Sequence, residues 1–237
     1  MKTPKLSVTW FGHSAFLLEL PLGVCVLIDP WLDNPKAPPG AKEVGKIELI
    51  LITHGHGDHI GNTVELASKT GAKVVAIHEV SLYLTGKGLT NVQGMNKGGS
   101  LKSDGVTVTM VDARHSSDID NESPPLPGGE AAGYVVEFAN GYRVYHAGDT
   151  ALFGDMKLIG EVHKPDLALL PVGDLFTMGP REAARACEMI KPKKVIGMHY
   201  GTFPLLTGTP EQMRKHLPQA MRSRVVFLEP GVSTALT

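Results

Sequence analysis

The apolar positions of this chain fall into short, mostly β-branched runs separated by glycine- and proline-rich turns, and from residue 60 onward these runs alternate with stretches of helical spacing. Residues 6–11 alternate apolar and polar, and 15–20 with 24–28 read as a hairpin turned at Pro21-Leu22-Gly23. Residues 47–53 form an unbroken apolar run, as expected of a strand buried on both faces. Residues 60–69 have helical composition ended by Gly71, 73–77 is another β-branched strand, and 79–85 a short helix. The glycine-rich stretch 86–103 reads as irregular.

The second half repeats the outline of the first. Residues 106–111 form an alternating strand, and 133–139 with 142–146 flank Asn140-Gly141, a strong hairpin signal. A helix is expected over 151–163 and a strand over 166–170. Pro180 opens a helix that runs to residue 190 and stops at Lys191-Pro192. A strand over 194–198, a helix over 211–217 and a strand over 224–228 complete the chain. Such duplication predicts an α/β chain of two mixed sheets packed together with helices outside. With 42% hydrophobic residues over 237 positions, residues 1–237 are expected to form a single domain.

Donor side chains concentrate where strands end. The run 47–53 leads directly into His54-Gly55-His56-Gly57-Asp58-His59. In extended backbone His54 and His56 point the same way, so both imidazoles can reach one cation at about 2.1 Å. Asp58 would lie roughly 13 Å from His54 if the chain stayed extended. Gly55 and Gly57 let it turn, bringing Asp58 and His59 to a second, adjacent cation. A histidine-rich loop facing water is the alternative reading, but three histidines and an aspartate at the mouth of a buried strand are far from background composition. His115 follows the strand 106–111, Asp149 follows 142–146, and His199 follows 194–198. Alone, Asp149 would be an ordinary turn residue; beside the other donors it becomes a candidate ligand. His146 reads as packed or hydrogen-bonded, and His78, without a partner at metal spacing, as structural.

Other positions stay open. His13, between the first two strands, either reaches this site or faces solvent. Asp29 ends the third strand as a turn former or as a group that orients a metal-bound imidazole. Trp31 and Leu32, in the irregular stretch 31–45, either face substrate or anchor the loop. The long polar segment 118–130 is a candidate substrate gate.

Composition narrows the function. With 24 acidic and 23 Lys or Arg residues the formal charge is -1, which gives no footprint for nucleic acid or an anionic membrane. No stretch of 18 apolar residues or signal-type core occurs, so a cytoplasmic protein is expected. Cys25 and Cys187 are too few for a disulfide framework and are expected to be reduced, inert thiols.

The hexapeptide 54–59, Arg114-His115-Ser116-Ser117, His146-Ala147-Gly148-Asp149-Thr150 and Met198-His199-Tyr200-Gly201-Thr202-Phe203-Pro204 together resemble the metallo-β-lactamase superfamily over nearly the whole chain. Gly12-His13-Ser14-Ala15 before an apolar strand is similar to its cytosolic branch of ascorbate-phosphate-lactonase-like proteins and metal-dependent hydrolases. The resemblance implies the αββα sandwich. It also implies two divalent ions, one on His54, His56 and His115, the other on Asp58, His59 and His199, with Asp149 bridging. Imidazole-rich donors suit zinc, with manganese, iron or nickel as possible occupants. Two such ions sharing a water would supply a bridging hydroxide as nucleophile, with Asp58 holding it in line and His13 near the substrate. The expected reaction is hydrolysis of a small ester, lactone, thioester or phosphodiester. The alternative is a non-catalytic metal-binding sensor or assembly protein on the same fold. The oxygen-reducing members of the superfamily carry glutamate where this chain has His56, its RNA-processing nucleases carry a long inserted domain, and many true β-lactamases use a ligand cysteine. All three features are absent here. The expected partner is therefore a small-molecule substrate, with no nucleic acid and no membrane, and a homo-oligomer is possible.

Overall fold

The computed structural model describes residues 6–20 and 23–236; Pro21 and Leu22 of the first expected hairpin turn lie outside the described residues. One sheet contains β1 (Leu6–Trp10), β2 (Phe16–Glu19), β3 (Cys25–Ile28), β4 (Leu49–Leu51), β5 (Lys73–Ile77) and β6 (Val92–Met95) in that spatial order, with β14 (Thr234–Leu236) outside β1. The other contains β7 (Ser100–Ser103), β8 (Val106–Asp112), β9 (Ala132–Phe138), β10 (Arg143–His146), β11 (Leu167–Pro171), β12 (Lys194–Met198) and β13 (Val225–Val226), again in chain order. Strands β3 to β6 pair in parallel, as do β10 to β13, while β1–β2–β3 and β7–β8–β9–β10 are antiparallel meanders. Both sheets are therefore mixed, as the duplicated pattern predicts.

Side-chain alternation separates the layers. Tyr134, Val136 and Phe138 on β9, Val144 on β10, and Leu167 and Leu169 on β11 enter a core shared with the first sheet. Their neighbours Val135, Tyr145, Ala168 and Leu170 enter a second core with α4 (Met156–His163), α5 (Pro180–Ile190) and α6 (Pro210–His216). A strand covered on both faces must be apolar at every position, so these strands read as continuous runs. On the first sheet, α2 (Thr63–Thr70) and α3 (His78–Gly86) pack against β5. The result is four layers, helix, sheet, sheet and helix. Among the described residues no helix is long and apolar enough to cross a membrane.

Several boundaries differ from expectation. The helix expected over 60–69 is two: α1 (Gly57–Ile60) begins inside the histidine-rich hexapeptide, and Gly61 separates it from α2. Gly61 has φ +42, and a Cβ there would lie 2.4 Å from the Trp31 Cα, so the break is imposed by close backbone packing. The stretch 86–103, read as irregular, holds β6 and β7, whose exposed polar residues carry little apolar signal. The helix over 151–163 starts only at Met156, and β14 was not anticipated.

Tyr134 ties the two sheets together. Its buried hydroxyl donates to the Ile52 carbonyl at 2.9 Å, just beyond β4. Removing that hydroxyl leaves the carbonyl short of a donor in a dry interior, which costs about 1–3 kcal/mol. Tyr134→Phe is therefore expected to lower the unfolding free energy by that amount, seen in urea denaturation as a lower midpoint at unchanged slope.

Candidate metal centre

Six loops meet at one rim, at the carboxyl ends of β1, β3, β4, β8, β10 and β12. Beyond β4, His54 Nε2 faces His56 Nδ1 at 2.9 Å, as their two-residue spacing predicts. The His115 ring, from the loop after β8, lies 5.2 Å from His54 and 5.1 Å from His56. The turn into α1 carries Asp58 and His59 to a second group with His199 and with His13. In that group, and in the trio His54, His56 and His115, the ligand atoms all lie within 4.8 Å of one another. Asp149 stands between them: its Oδ2 is 2.8 Å from His199 Nε2, 3.3 Å from His59 Nε2 and 3.8 Å from His115 Nε2.

This geometry, with the four-layer fold, matches known proteins. The Beta-lactamase superfamily domain model matches residues 25–200. A UPF0173 metal-dependent hydrolase from Methanopyrus kandleri is 49% identical over 230 residues, covering 96% of this chain and 99% of the relative. The chain belongs to that family. A second UPF0173 metal-dependent hydrolase, from Methanosarcina mazei, is 45% identical over 98% of this chain and 99% of its own. Among solved structures, a metallo hydrolase from Ignicoccus hospitalis superposes with a TM-score of 0.88 at 36% identity, covering 98% of this chain and 99% of that one. The protein is thus a metal-dependent hydrolase of the metallo-β-lactamase superfamily.

Within this UPF0173 member, Asp29 orients the donors. Its carboxylate accepts from the Thr53 backbone N–H at 2.8 Å, the Thr53 hydroxyl at 2.7 Å and His59 Nδ1 at 2.8 Å. The Thr53 hydroxyl has only one proton, and it goes to Asp29. His54 Nδ1, 2.9 Å from that oxygen, must then be the donor. Both imidazoles consequently present Nε2 to the centre. The Asp29 side chain is thus bonded to His59, as its orienting reading requires, while its carbonyl accepts the Trp31 N–H in the turn. His13 is fully buried, which removes the solvent reading; its Nε2 meets Asp58 Oδ2 at 3.1 Å and its Nδ1 meets Thr202 Oγ1 at 3.1 Å. His146 is hydrogen-bonded as expected, donating from Nε2 to the Ser14 carbonyl and accepting from the Gly148 N–H at Nδ1.

The electrostatics suit a cation. Burial and the neighbouring His59 hold the His54 pKa well below the ordinary imidazole range. Burial and His199 bring His13 down to about 4, against the opposing pull of Asp58. Burial alone would raise Asp149, but His199 and His59 outweigh it and hold the carboxyl well below its usual range. Burial likewise opposes ionisation of Asp58, and His59 and His13 outweigh it. His59 moves the other way: burial would lower it, but Asp149, Asp29 and Asp58 hold it above the ordinary range. The residues fit a metal: His59 Nε2, Asp149 Oδ1 and His199 Nδ1 are buried without a hydrogen-bond partner, and the donors are imidazoles and carboxylates. The thiols stay apart, burial pushing Cys25 up to about 11 and Cys187 up to about 12.

The structure narrows two loop expectations. Leu32 is 3% exposed and anchors its loop, so only Trp31 of that pair remains near the site, its ring 5.1 Å from His13. The segment 118–130 is tied down, which does not suit a free gate. Asp120 accepts from the Gly57 N–H at 2.7 Å, Ile119 pairs with Leu126, and Glu122 meets Tyr83 and Lys87. The sequence assigns no role to Thr53, Thr202 or Asp120, because lone hydroxyls and a loop aspartate carry no spacing signal.

Since Asp29 sets the ring orientation of two donors, Asp29→Asn is expected to weaken metal affinity about 10- to 100-fold, as removal of such outer partners typically does. Chelator competition with metal analysis checks it.

Proposed function

We propose that this chain is a dinuclear hydrolase, with one divalent ion held by His54, His56 and His115, the other by Asp58, His59 and His199, and Asp149 shared between them. The observation that carries this reading is the position of Asp149 Oδ2, within 3.8 Å of imidazoles from both groups. Seven donors suit two ions if one carboxylate is shared. Zinc is the favoured metal for so many imidazoles. Such ions, when bound, supply Lewis acidity and an activated water near neutral pH.

The chain's own residues do the rest. His13, neutral at its lowered pKa, donates from Nε2 to Asp58 Oδ2 and accepts the Thr202 hydroxyl proton at Nδ1. That contact fixes one Asp58 oxygen and leaves Oδ1, 3.8 Å from His59 Nε2, turned to the centre. His13 is thereby a positioning residue for Asp58. Neither thiol competes as nucleophile, since both are held protonated. The substrate class that fits these parts is a small ester, lactone, thioester or phosphodiester.

Zinc-loaded protein is expected to turn over at least one of bis-p-nitrophenyl phosphate, a homoserine lactone and a glutathione thioester above the metal-free background. Inactivity across that panel would favour a metal-binding protein without turnover. Asp149→Ala is expected to reduce bound metal, measured by elemental analysis, along with the rate; two tightly held ions in that variant would remove its shared role. His13→Ala is expected to keep both ions at saturating metal and slow turnover, and loss of metal there would mean that His13 holds an ion directly or through Asp58.

A further inference from the structure

Two aromatic rings stand beside the second donor group. Trp31, from the loop after β3, and Phe203, from the loop after β12, stack on each other with centroids 5.7 Å apart and planes at 28°. Both meet the buried His13 ring edge-on, at 5.1 and 5.8 Å. The His13 ring in turn lies 4.0 Å from that of His199, and its Nε2 holds Asp58. Only one side of the pair is thus accounted for by roofing His13.

Neither ring is needed to anchor its loop. After β3 that work falls to Leu32, 3% exposed, and to Asn34, whose amide donates to the Trp31 carbonyl at 2.7 Å and the Phe11 carbonyl at 2.9 Å. After β12 it falls to Leu206, 3% exposed, whose N–H donates to the Phe203 carbonyl at 3.0 Å. In both loops a leucine is buried while the aromatic stays partly in solvent, Phe203 at 37%. The Trp31 backbone is also fixed, its N–H donating to the Asp29 carbonyl at 2.8 Å and its Cα pressed against Gly61. A rigid, half-exposed aromatic surface next to a reaction centre is prepaid binding area, because little side-chain freedom is left to lose.

We infer that Trp31 and Phe203 form a stacking platform that selects substrates carrying a flat, unsaturated group beside the scissile bond. The inference rests on the reading of the donor groups as a metal centre. The rings are too close together to sandwich a third, so the substrate ring lies against the exposed surface that Phe203 leads. Aromatic contacts form at centroid separations of about 4.5–7 Å and add affinity beyond area burial. With that burial included, the preference should reach about tenfold.

The probes are phenylphosphonate and methylphosphonate, which offer the same metal-binding head with and without a ring. Calorimetric titration of zinc-loaded wild-type protein is expected to give a Kd about tenfold lower for the phenyl compound, with a change in tryptophan emission from it alone. In Trp31→Ala and in Phe203→Ala the two Kd values should converge to within about threefold, and in Trp31→Phe the gap should persist. Metal content measured on each variant separates loss of the platform from loss of the ions. Equal affinities in the wild type, or a gap that survives both alanine variants at full metal content, would overturn the platform. If neither phosphonate binds the zinc-loaded wild type, the metal-centre reading itself fails and the platform with it.

Discussion

Asp29 is a fully buried carboxylate, and it is tolerable only because three donors surround it. Those donors come from one short stretch, Thr53 to His59, so satisfying Asp29 also fixes how that stretch leaves the sheet. The constraint reaches further, because the proton accounting at Thr53 determines which nitrogen His54 presents, and the bond to His59 does the same for the other group. One side chain thereby sets the facing atoms of both donor groups. It does so from a left-handed backbone conformation, φ +46, which aspartate tolerates better than most residues.

His13 and His199 also sit at positive φ, 50 and 55, and their loops are bonded to each other. The His199 N–H and the Trp10 indole N–H both donate to the His13 carbonyl, and His146 holds the Ser14 carbonyl from the opposite sheet. The Ala132 N–H donates to the Thr53 carbonyl across the same gap. The two sheets are therefore joined by hydrogen bonds at the rim where the donors meet, in addition to the apolar core below. Backbone strain at three functional positions is held in place by contacts from elements far apart in sequence.

That division explains what the sequence could and could not reveal. His54 and His56 were legible as partners because spacing along an extended strand end is a local property. Asp149 and His199 were legible as donors through their motifs, while their meeting depended on two sheets closing over a shared core. The helix inside the hexapeptide was hidden because Gly57 and Gly61 are poor helix formers; α1 is instead held by Asp120 from a distant loop, and its end by packing on Trp31. The strands β6 and β7 were missed because each is partly exposed and so lacks the apolar density of the buried strands. Of the two open readings of Trp31 and Leu32, anchoring holds for Leu32, while Trp31 stands beside His13.

The charge balance of the centre gives the donor set its direction. Asp29, Asp58 and Asp149 bring three carboxylates into one largely buried region, and the groups that face them are imidazoles. Imidazoles can offset buried negative charge only by taking up protons, and burial holds His13, His54 and His115 back from doing so. His59 alone among these is pushed toward the protonated form, where it sits among all three carboxylates. Asp29 is satisfied by its three donors, but one proton on His59 is a weak counterweight to Asp58 and Asp149 as well, whereas a divalent cation would satisfy those two carboxylates and use the neutral imidazoles as donors. The features that would make this region costly in a metal-free protein are therefore the ones that suit it to metal.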